Sequence, residues 1–211
     1  KQTSRADFEK GKLQGVSVTS KGDLTLTRTL RKLHAGADSF AWSMARAADG
    51  AILIGTGGDA RVWRLDAGGL RELARLPEVA VHAVLGLPDG TVLAATAPRG
   101  RTYRIAPDGK AEVLHEAAEP YALALALDSS GALVIGVGGG QGIVYRAGPE
   151  GKPALWFRTP DEHVLSLAAA PDGAVIAGTA PHGVVYRIAP DGRASVLFDF
   201  NDVSIDIGAG S

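Results

Sequence analysis

The sequence predicts an all-β fold built from repeated four-stranded units, and three observations support this prediction. Residues 178–197 (GTAPHGVVYRIAPDGRASVL) and 95–114 (ATAPRGRTYRIAPDGKAEVL) agree at 14 of 20 positions. An aromatic-Arg pair recurs at spacings of 40, 42 and 41 residues, as Trp63-Arg64, Tyr103-Arg104, Tyr145-Arg146 and Tyr186-Arg187. Pro-Asp-Gly turns interrupt any helical apolar stripe. Periods of about 40–45 residues with four strands each are typical of β-propeller blades.

Composition restricts the function classes. The 211 residues are 45% apolar and 21% charged, with 28 glycines, which indicates a folded chain rich in tight turns. A net charge of −1 with dispersed basic residues lacks the electrostatic signature of a nucleic-acid binder. The chain has no cysteine, so disulfides and thiolate chemistry are excluded. The apolar run at 121–127 is too short for a membrane-spanning helix.

The compartment stays open at this stage. The chain begins with Lys1 and shows no signal peptide. This start fits either an exported protein whose leader has been removed or a fragment.

One unit divides into four strands at 164–170, 174–179, 184–188 and 194–200. The strands are separated by Pro-Asp-Gly turns and an Ala-Pro-His-Gly loop. Proline presets the turn, aspartate binds the following backbone, and glycine adopts positive φ. Strict Leu/Ala alternation over 121–127 gives a strand with one large and one small face, which suits radial sheets that pack face to face.

The repeat predicts a single domain over 1–211, with blades at about 38–79, 80–120, 121–162 and 163–200. A fifth, composite blade would combine residues 1–37, which include a hairpin at 15–30, with residues 201–211. Closing the ring with both termini removes exposed strand edges. The alternative is a fragment of a larger ring of about seven blades. We expect a monomer if the ring closes, and a dimer becomes possible if it does not.

The repeated aromatic-Arg pair has two interpretations. A ring of arginines at equivalent positions could bind a ligand. The structural interpretation, which we favour because architecture produces features in every blade, packs the aromatic ring between blades. The guanidinium then lies over the ring or pairs with a turn aspartate.

The unit GTAPHGVVYRIAPDGRASVL resembles the repeats of bacterial propellers related to NHL-repeat and virginiamycin-lyase-like proteins. GDARVWRLDAGG (58–69) is similar to the NHL pattern of a polar turn, an aromatic-rich strand and a closing glycine. The resemblance lies in the spacing of the repeated motifs over residues 38–207. In virginiamycin-lyase-like propellers a histidine and a divalent metal at the channel mouth perform eliminative chemistry, but no motif here matches theirs residue by residue.

Loop residues at the channel mouth are the candidates for function. These loops vary between units, unlike the turns of the opposite face, and variable loops on a rigid scaffold are a usual place for binding. Aromatic, imidazole and acidic side chains there predict a pocket for a peptide, a glycan or a small polar ligand. The predicted binding residues are Trp42, His82, Tyr121, Asp161, Glu162, His163 and His182. Glu78 and Glu119 lie in the same loops.

The first hypothesis is therefore a non-enzymatic binding or scaffolding propeller without a cofactor. The alternative is a lyase or hydrolase in which His163 or His82 is a general base. Glu162 or Asp161 would then orient the imidazole or hold a divalent cation. If the alternative holds, His163 and Glu162 should converge within hydrogen-bond distance or bind an ion. If it fails, the two side chains should point apart into solvent.

Overall fold

The computed structural model describes residues 15–26, 40–148 and 151–200. The chain divides into two units, residues 1–36 and 37–211. In the first unit, β1 (Val16–Val18) and β2 (Leu24–Leu26) form an antiparallel hairpin. The Thr19 hydroxyl accepts hydrogen bonds from the backbone amides of Lys21 and Asp23, which closes the turn. The hairpin predicted at 15–30 is thus present over its described part.

The second unit is all-β in its described residues and contains no helix able to span a membrane there. Its strands form two eight-stranded antiparallel sheets. Each sheet consists of two groups of four strands that are joined by one residue pair, Gly57 with Ala80 or Gly138 with His163. We call the four groups blades 1 to 4. Blade 1 comprises β3 (Phe40–Arg46), β4 (Ile52–Gly57), β5 (Arg61–Asp66) and β6 (Gly69–Arg75). Blade 2 comprises β7 (Ala80–Gly86), β8 (Val92–Ala97), β9 (Arg101–Ile105) and β10 (Ala111–Glu116). Blade 3 comprises β11 (Tyr121–Leu127), β12 (Leu133–Gly138), β13 (Ile143–Ala147) and β14 (Pro153–Arg158). Blade 4 comprises β15 (His163–Ala169), β16 (Val175–Ala180), β17 (Val184–Ile188) and β18 (Ala194–Asp199).

Within each blade the strands pair in chain order, and the four strands predicted for residues 164–200 are confirmed to within one residue at each end. The turns have the predicted chemistry. In blade 2, the Gly90 amide donates a hydrogen bond to Leu87 O at 3.1 Å, and Gly90 has a φ of +84°. The Asp89 carboxylate accepts the Thr91 amide at 2.9 Å. Local sequence therefore sets the strand boundaries.

Three apolar layers lie between consecutive blades and form the core. The layer between blades 1 and 2 includes Leu53, Val62, Val92 and Ile105. The layer between blades 2 and 3 includes Leu93, Ile135, Val137 and Ile143. The layer between blades 3 and 4 includes Val134, Val144, Val175 and Ile188. Each inner blade is thus buried on both faces, as the Leu/Ala alternation predicts.

Three of the four arginines of the repeated aromatic-Arg pair bond aspartates of the turn between the first and second strands. Arg64 pairs with Asp49, and Arg187 pairs with Asp172. In blade 3, the Arg146 Nε donates to Asp128 at 2.7 Å. These contacts agree with the structural interpretation of the pair.

The predicted closing blade falls largely outside the described residues, because residues 1–14, 27–39 and 201–211 are not among them. The count of five blades therefore stays a prediction.

His115 makes stability dependent on pH. Its ring lies 4.6 Å from that of Tyr145 in the next blade, and its Nε2 is buried with no hydrogen-bond partner in the described structure. Burial lowers the pKa of His115, although the charge of Glu119 opposes this shift. The unfolded chain therefore takes up the proton first as pH falls through about 6.5. The contribution of neutral His115 to the free energy of unfolding is fully present above that pH and is lost progressively below it.

We expect His115→Phe to stabilise the fold by about 1 kcal/mol, because the unpartnered nitrogen is removed. It should also reduce the loss of melting temperature between pH 7.5 and 5.5. The reverse change, Phe157→His at the equivalent position of blade 3, should add such a loss. Thermal melts at the two pH values test this, and an unchanged pH dependence in His115→Phe would contradict it.

A substitution at Gly109 tests how closely blades 1 and 2 approach each other. Its φ is +89°, and a Cβ there would lie 2.3 Å from Leu73 O of the neighbouring blade. Gly151 occupies the same turn of blade 3 with φ +75° and has open space around it. We expect Gly151→Ala to cost about 1 kcal/mol from backbone strain alone. Gly109→Ala should cost about 3 kcal/mol, because overpacking adds to the strain. Equal losses in chemical denaturation would show that the two blades do not meet closely there.

Candidate functional site

Two kinds of loop lie together at one face of the second unit. The connections between blades (76–79, 117–120 and 159–162) bond to the loops between second and third strands (58–60, 98–100, 139–142 and 181–183). The Gly100 amide donates to Pro120 O at 2.7 Å, and the Gly142 amide donates to Asp161 O at 2.7 Å. We call this surface the loop face. The site residues predicted from the sequence lie on it or at the strand starts beside it.

The first strand of every blade carries a β-bulge near its start. The pairing register shifts between Ala41 and Ser43 in blade 1, and at the equivalent positions of the other three blades. The residues skipped by the pairing are Trp42, His82, Leu123 and Leu165. A bulge releases one residue from the ladder and redirects its side chain. Trp42 and His82 therefore occupy equivalent, redirected positions in adjacent blades.

Predicted site residues form two ring pairs. The Trp42 and His82 centroids lie 4.8 Å apart with an interplanar angle of 52°. The Tyr121 and His163 centroids lie 6.5 Å apart at 44°. Trp42 is 55% exposed, and Tyr121 is 39% exposed. Burial lowers the pKa of His82, so its ring is neutral at pH 7. The first pair thus offers an uncharged, partly exposed aromatic surface.

The indole of Trp42 lies directly over Gly57. A Cβ at Gly57 would come within 2.8 Å of the indole Nε1. The absence of a side chain at this position lets the indole rest on the backbone of β4. The ring is thereby held in place while much of its surface stays exposed.

Acidic residues two positions before the first strand hold the loops together. The Glu78 carboxylate is fully buried. It accepts the Tyr103 hydroxyl at 2.9 Å and the Arg99 Nε at 3.1 Å. In blade 3, Glu119 accepts the Tyr145 hydroxyl at 3.4 Å. The sequence placed these acids in an open pocket, whereas Glu78 is turned inward to satisfy neighbouring donors.

Asp161, the equivalent acid of blade 4, is a predicted binding residue whose side chain is only 2% exposed. Its carboxylate accepts the Thr179 hydroxyl and pairs with Nδ1 of His182. Burial alone would raise the pKa of Asp161, but the hydrogen bonds from Thr179 and His182 hold it below its ordinary value. Asp161 is therefore ionised at pH 7. His182 itself is 69% exposed on the loop face.

Glu162 and His163 meet neither sequence expectation. The Glu162 Oε2 and His163 Nε2 atoms are 3.8 Å apart, beyond hydrogen-bond distance yet not directed away from each other. His163 Nδ1 is buried and has no hydrogen-bond partner among residues 15–26, 40–148 and 151–200. Within those same ranges, no group of three or more acidic or histidine side chains is placed to hold a metal ion.

Sequence reasoning missed the tyrosines that bond the loop acids. Tyr103 and Tyr145 belong to the aromatic-Arg repeat, and neither interpretation of that repeat gives the tyrosine hydroxyl a partner. A signal was available: Glu78, Glu119 and Asp161 recur at spacings of 41 and 42, close to the period of the aromatic residues. Because the acids and the aromatic residues recur with nearly the same period, they are expected to lie in the same position relative to each other in each blade.

The fold is similar to that of solved propeller structures. Virginiamycin B lyase from Staphylococcus aureus matches with a TM-score of 0.67 and 19% identity, over 86% of this chain and 61% of that one. A streptogramin B lyase matches with a TM-score of 0.67 and 17% identity, over 86% and 60%. A chain of a nidogen–laminin complex matches with a TM-score of 0.64 and 14% identity, over 75% and 65%.

No known family and no curated protein sequence matches this chain. The chain spans less than two thirds of the length of each of these three structures. Proteins of similar fold include lyases and a sugar dehydrogenase as well as a chain of the nidogen–laminin complex. Identities this low show the fold alone. The four-stranded blades, their face-to-face packing and these similarities together show that the chain has a fold of the β-propeller type.

Proposed function

We propose that this chain is a non-enzymatic binding module that recognises a glycan, a peptide or a small polar ligand on its loop face. The observation that supports this proposal most strongly is the Trp42–His82 pair, whose rings lie 4.8 Å apart while the indole is 55% exposed. An exposed indole fixed over Gly57 offers a flat apolar surface without losing rotamer freedom on binding.

His82 beside the indole and polar groups elsewhere on the loop face would complete the proposed site. His82 and Tyr121 combine an apolar ring with a hydrogen-bonding atom, and Glu162 is 64% exposed. Sugar rings and peptides have both weakly polar faces and hydrogen-bonding edges, so they suit such a surface. The buried acids Glu78 and Asp161 have a positioning role in this proposal, because their oxygens are occupied by neighbouring donors.

We expect Trp42→Ala to weaken ligand binding about tenfold to a hundredfold, the usual effect of removing a central aromatic contact. Screening on glycan and peptide arrays would identify the ligand, and titration of tryptophan fluorescence would measure its affinity. Val113→Ala, a change at a 47% exposed residue on the fourth strand of blade 2, is the matched control and should leave affinity unchanged. Undiminished binding by Trp42→Ala would exclude this pair as the site.

A second candidate function is favoured by the Asp161–His182 pair. A buried, ionised carboxylate that engages Nδ1 of an exposed imidazole is the arrangement that orients a general base. In this alternative the protein is a lyase or hydrolase, and His182 removes a proton from the bound ligand. The similar fold of two lyases is compatible with it but shows no shared chemistry.

The two functions predict different results for His182→Ala. If the protein is an enzyme, we expect conversion of the bound ligand, followed by mass spectrometry, to fall at least about a hundredfold while affinity changes little. His182→Gln, which keeps a polar side chain, should lose conversion equally. If the ligand stays unchanged after prolonged incubation with the native chain, the enzymatic alternative is wrong.

A further inference from the structure

Among the four side chains that the β-bulges release from pairing, His82 is the one that can change its charge. The equivalent residues are Trp42, Leu123 and Leu165, which stay neutral at every accessible pH. The strand of His82, β7, packs against both β3 and β11, the strands of Trp42 and Leu123. Protonation of His82 would therefore place a single positive charge among uncharged side chains.

His82 lacks the acidic neighbour that the other described histidines have. It forms no hydrogen bond and no ion pair with any residue of 15–26, 40–148 or 151–200, and burial is the cause that lowers its pKa below the ordinary 6.5. A carboxylate lies near each of the others: Glu119 near His115, Glu162 near His163, and Asp161 near His182. The imidazolium form of His82 thus has no counter-charge in the described structure.

The strands packed against β7 supply no such charge. β4 and β8 contain no ionisable residue, and β11 contains only Tyr121. β3 ends at Arg46, which pairs with Ile52 at the end of the blade opposite the loop face. The surroundings of His82 on these strands are therefore apolar or neutral.

The charged residues of β5 and of the adjoining loops are engaged with one another. Each has a partner of opposite charge: Arg61 pairs with Asp59, Arg64 with Asp66, and Glu78 with Arg99. Because these charges cancel in pairs, they do not favour a protonated His82.

A group that lies on the Trp42 indole also covers His82. The two ring centroids are only 4.8 Å apart, which is less than the width of a sugar ring or an aromatic ring with its hydrogens. Such a group would remove water from the imidazole, and loss of water disfavours the charged form. An uncharged ligand face should therefore bind neutral His82 more tightly than protonated His82.

Protonation also changes the indole itself as a binding surface. A cation within about 6 Å of an indole is attracted to the face of the ring. A protonated His82 would therefore be drawn towards the surface that the ligand needs. Competition for the indole and the cost of desolvating a charge act in the same direction.

We propose that the Trp42–His82 pair binds an uncharged ligand face while His82 is neutral and releases it when His82 takes up a proton. This inference rests on the proposed function, because it takes the pair to be part of the ligand site. Affinity is fully present above the pKa of His82 in the free chain and decreases as pH falls through that pKa. An anionic group shows no such decrease, because it pairs with the imidazolium.

Fluorescence quenching tests the charge beside the indole without any ligand. The emission of Trp42 is the difference between the native chain and Trp42→Phe. As pH is lowered from about 7.5 to about 5.0, quenching by iodide should rise at least about twofold relative to quenching by caesium, because a positive charge attracts the anion and repels the cation. His82→Phe should abolish this change, and His115→Phe should retain it. An unchanged ratio in the native chain, with the β fold verified by circular dichroism, would overturn the proposal.

Two matched probes test the release. N-acetylphenylalanine amide is uncharged, and N-acetylphenylalanine carries a carboxylate on the same framework. In NMR titrations, the dissociation constant of the amide should rise at least about threefold over the same pH change, whereas that of the carboxylate should not rise. In His82→Phe the amide should have equal dissociation constants at both pH values, whatever their magnitude.

The results for the amide separate this inference from the proposed function. Binding that is weakened by Trp42→Ala but does not change with pH would overturn the inference and leave the proposed ligand site standing. Binding that Trp42→Ala does not weaken, or no binding at pH 7.5, would overturn both.

Discussion

Face-to-face burial between neighbouring sheets is the interaction on which the rest of this structure depends. A blade cannot fold around a core of its own, because a single sheet has two faces and no interior. Leu53, Val134 and Ile135 are fully buried only because another blade lies against them. Each such side chain contributes about 1.5–3 kcal/mol on transfer from water. Stability is therefore approximately a sum over the interfaces between neighbouring blades.

This packing separates the residues that maintain the blades from those that are displayed. Tyr103 and Arg146, which belong to the repeated aromatic-Arg pair, bond a loop acid and a turn aspartate, respectively. The β-bulge is also repeated, but the residue that it releases from pairing differs from blade to blade. Tryptophan and histidine occupy that position in blades 1 and 2, and leucine occupies it in blades 3 and 4. The bulge thus displays a different side chain in each half of the chain at a position that the ladder does not use.

The sequence was sufficient for the strands of residues 163–199 and for the turns between them, because apolar alternation and Pro-Asp-Gly are local signals. It did not reveal the bulges at Trp42 and His82, since a bulge is a property of two paired strands. It also failed for Glu78 and Asp161, because a polar loop residue is expected in solvent unless its buried donors are known. Those donors, Tyr103 and Thr179, lie 25 and 18 residues further along the chain.

Equivalent loop positions show why similarity of fold leaves the chemistry open. Arg99 and His182 both follow the second strand of their blade, and each bonds the acid that precedes the first strand, Glu78 or Asp161. In blade 2 the longer carboxylate is combined with a guanidinium, which is always charged and acts as a hydrogen-bond donor. In blade 4 the shorter carboxylate holds an imidazole, which can also accept a proton. The strand framework is the same in both blades, so a function must be sought where equivalent blades differ.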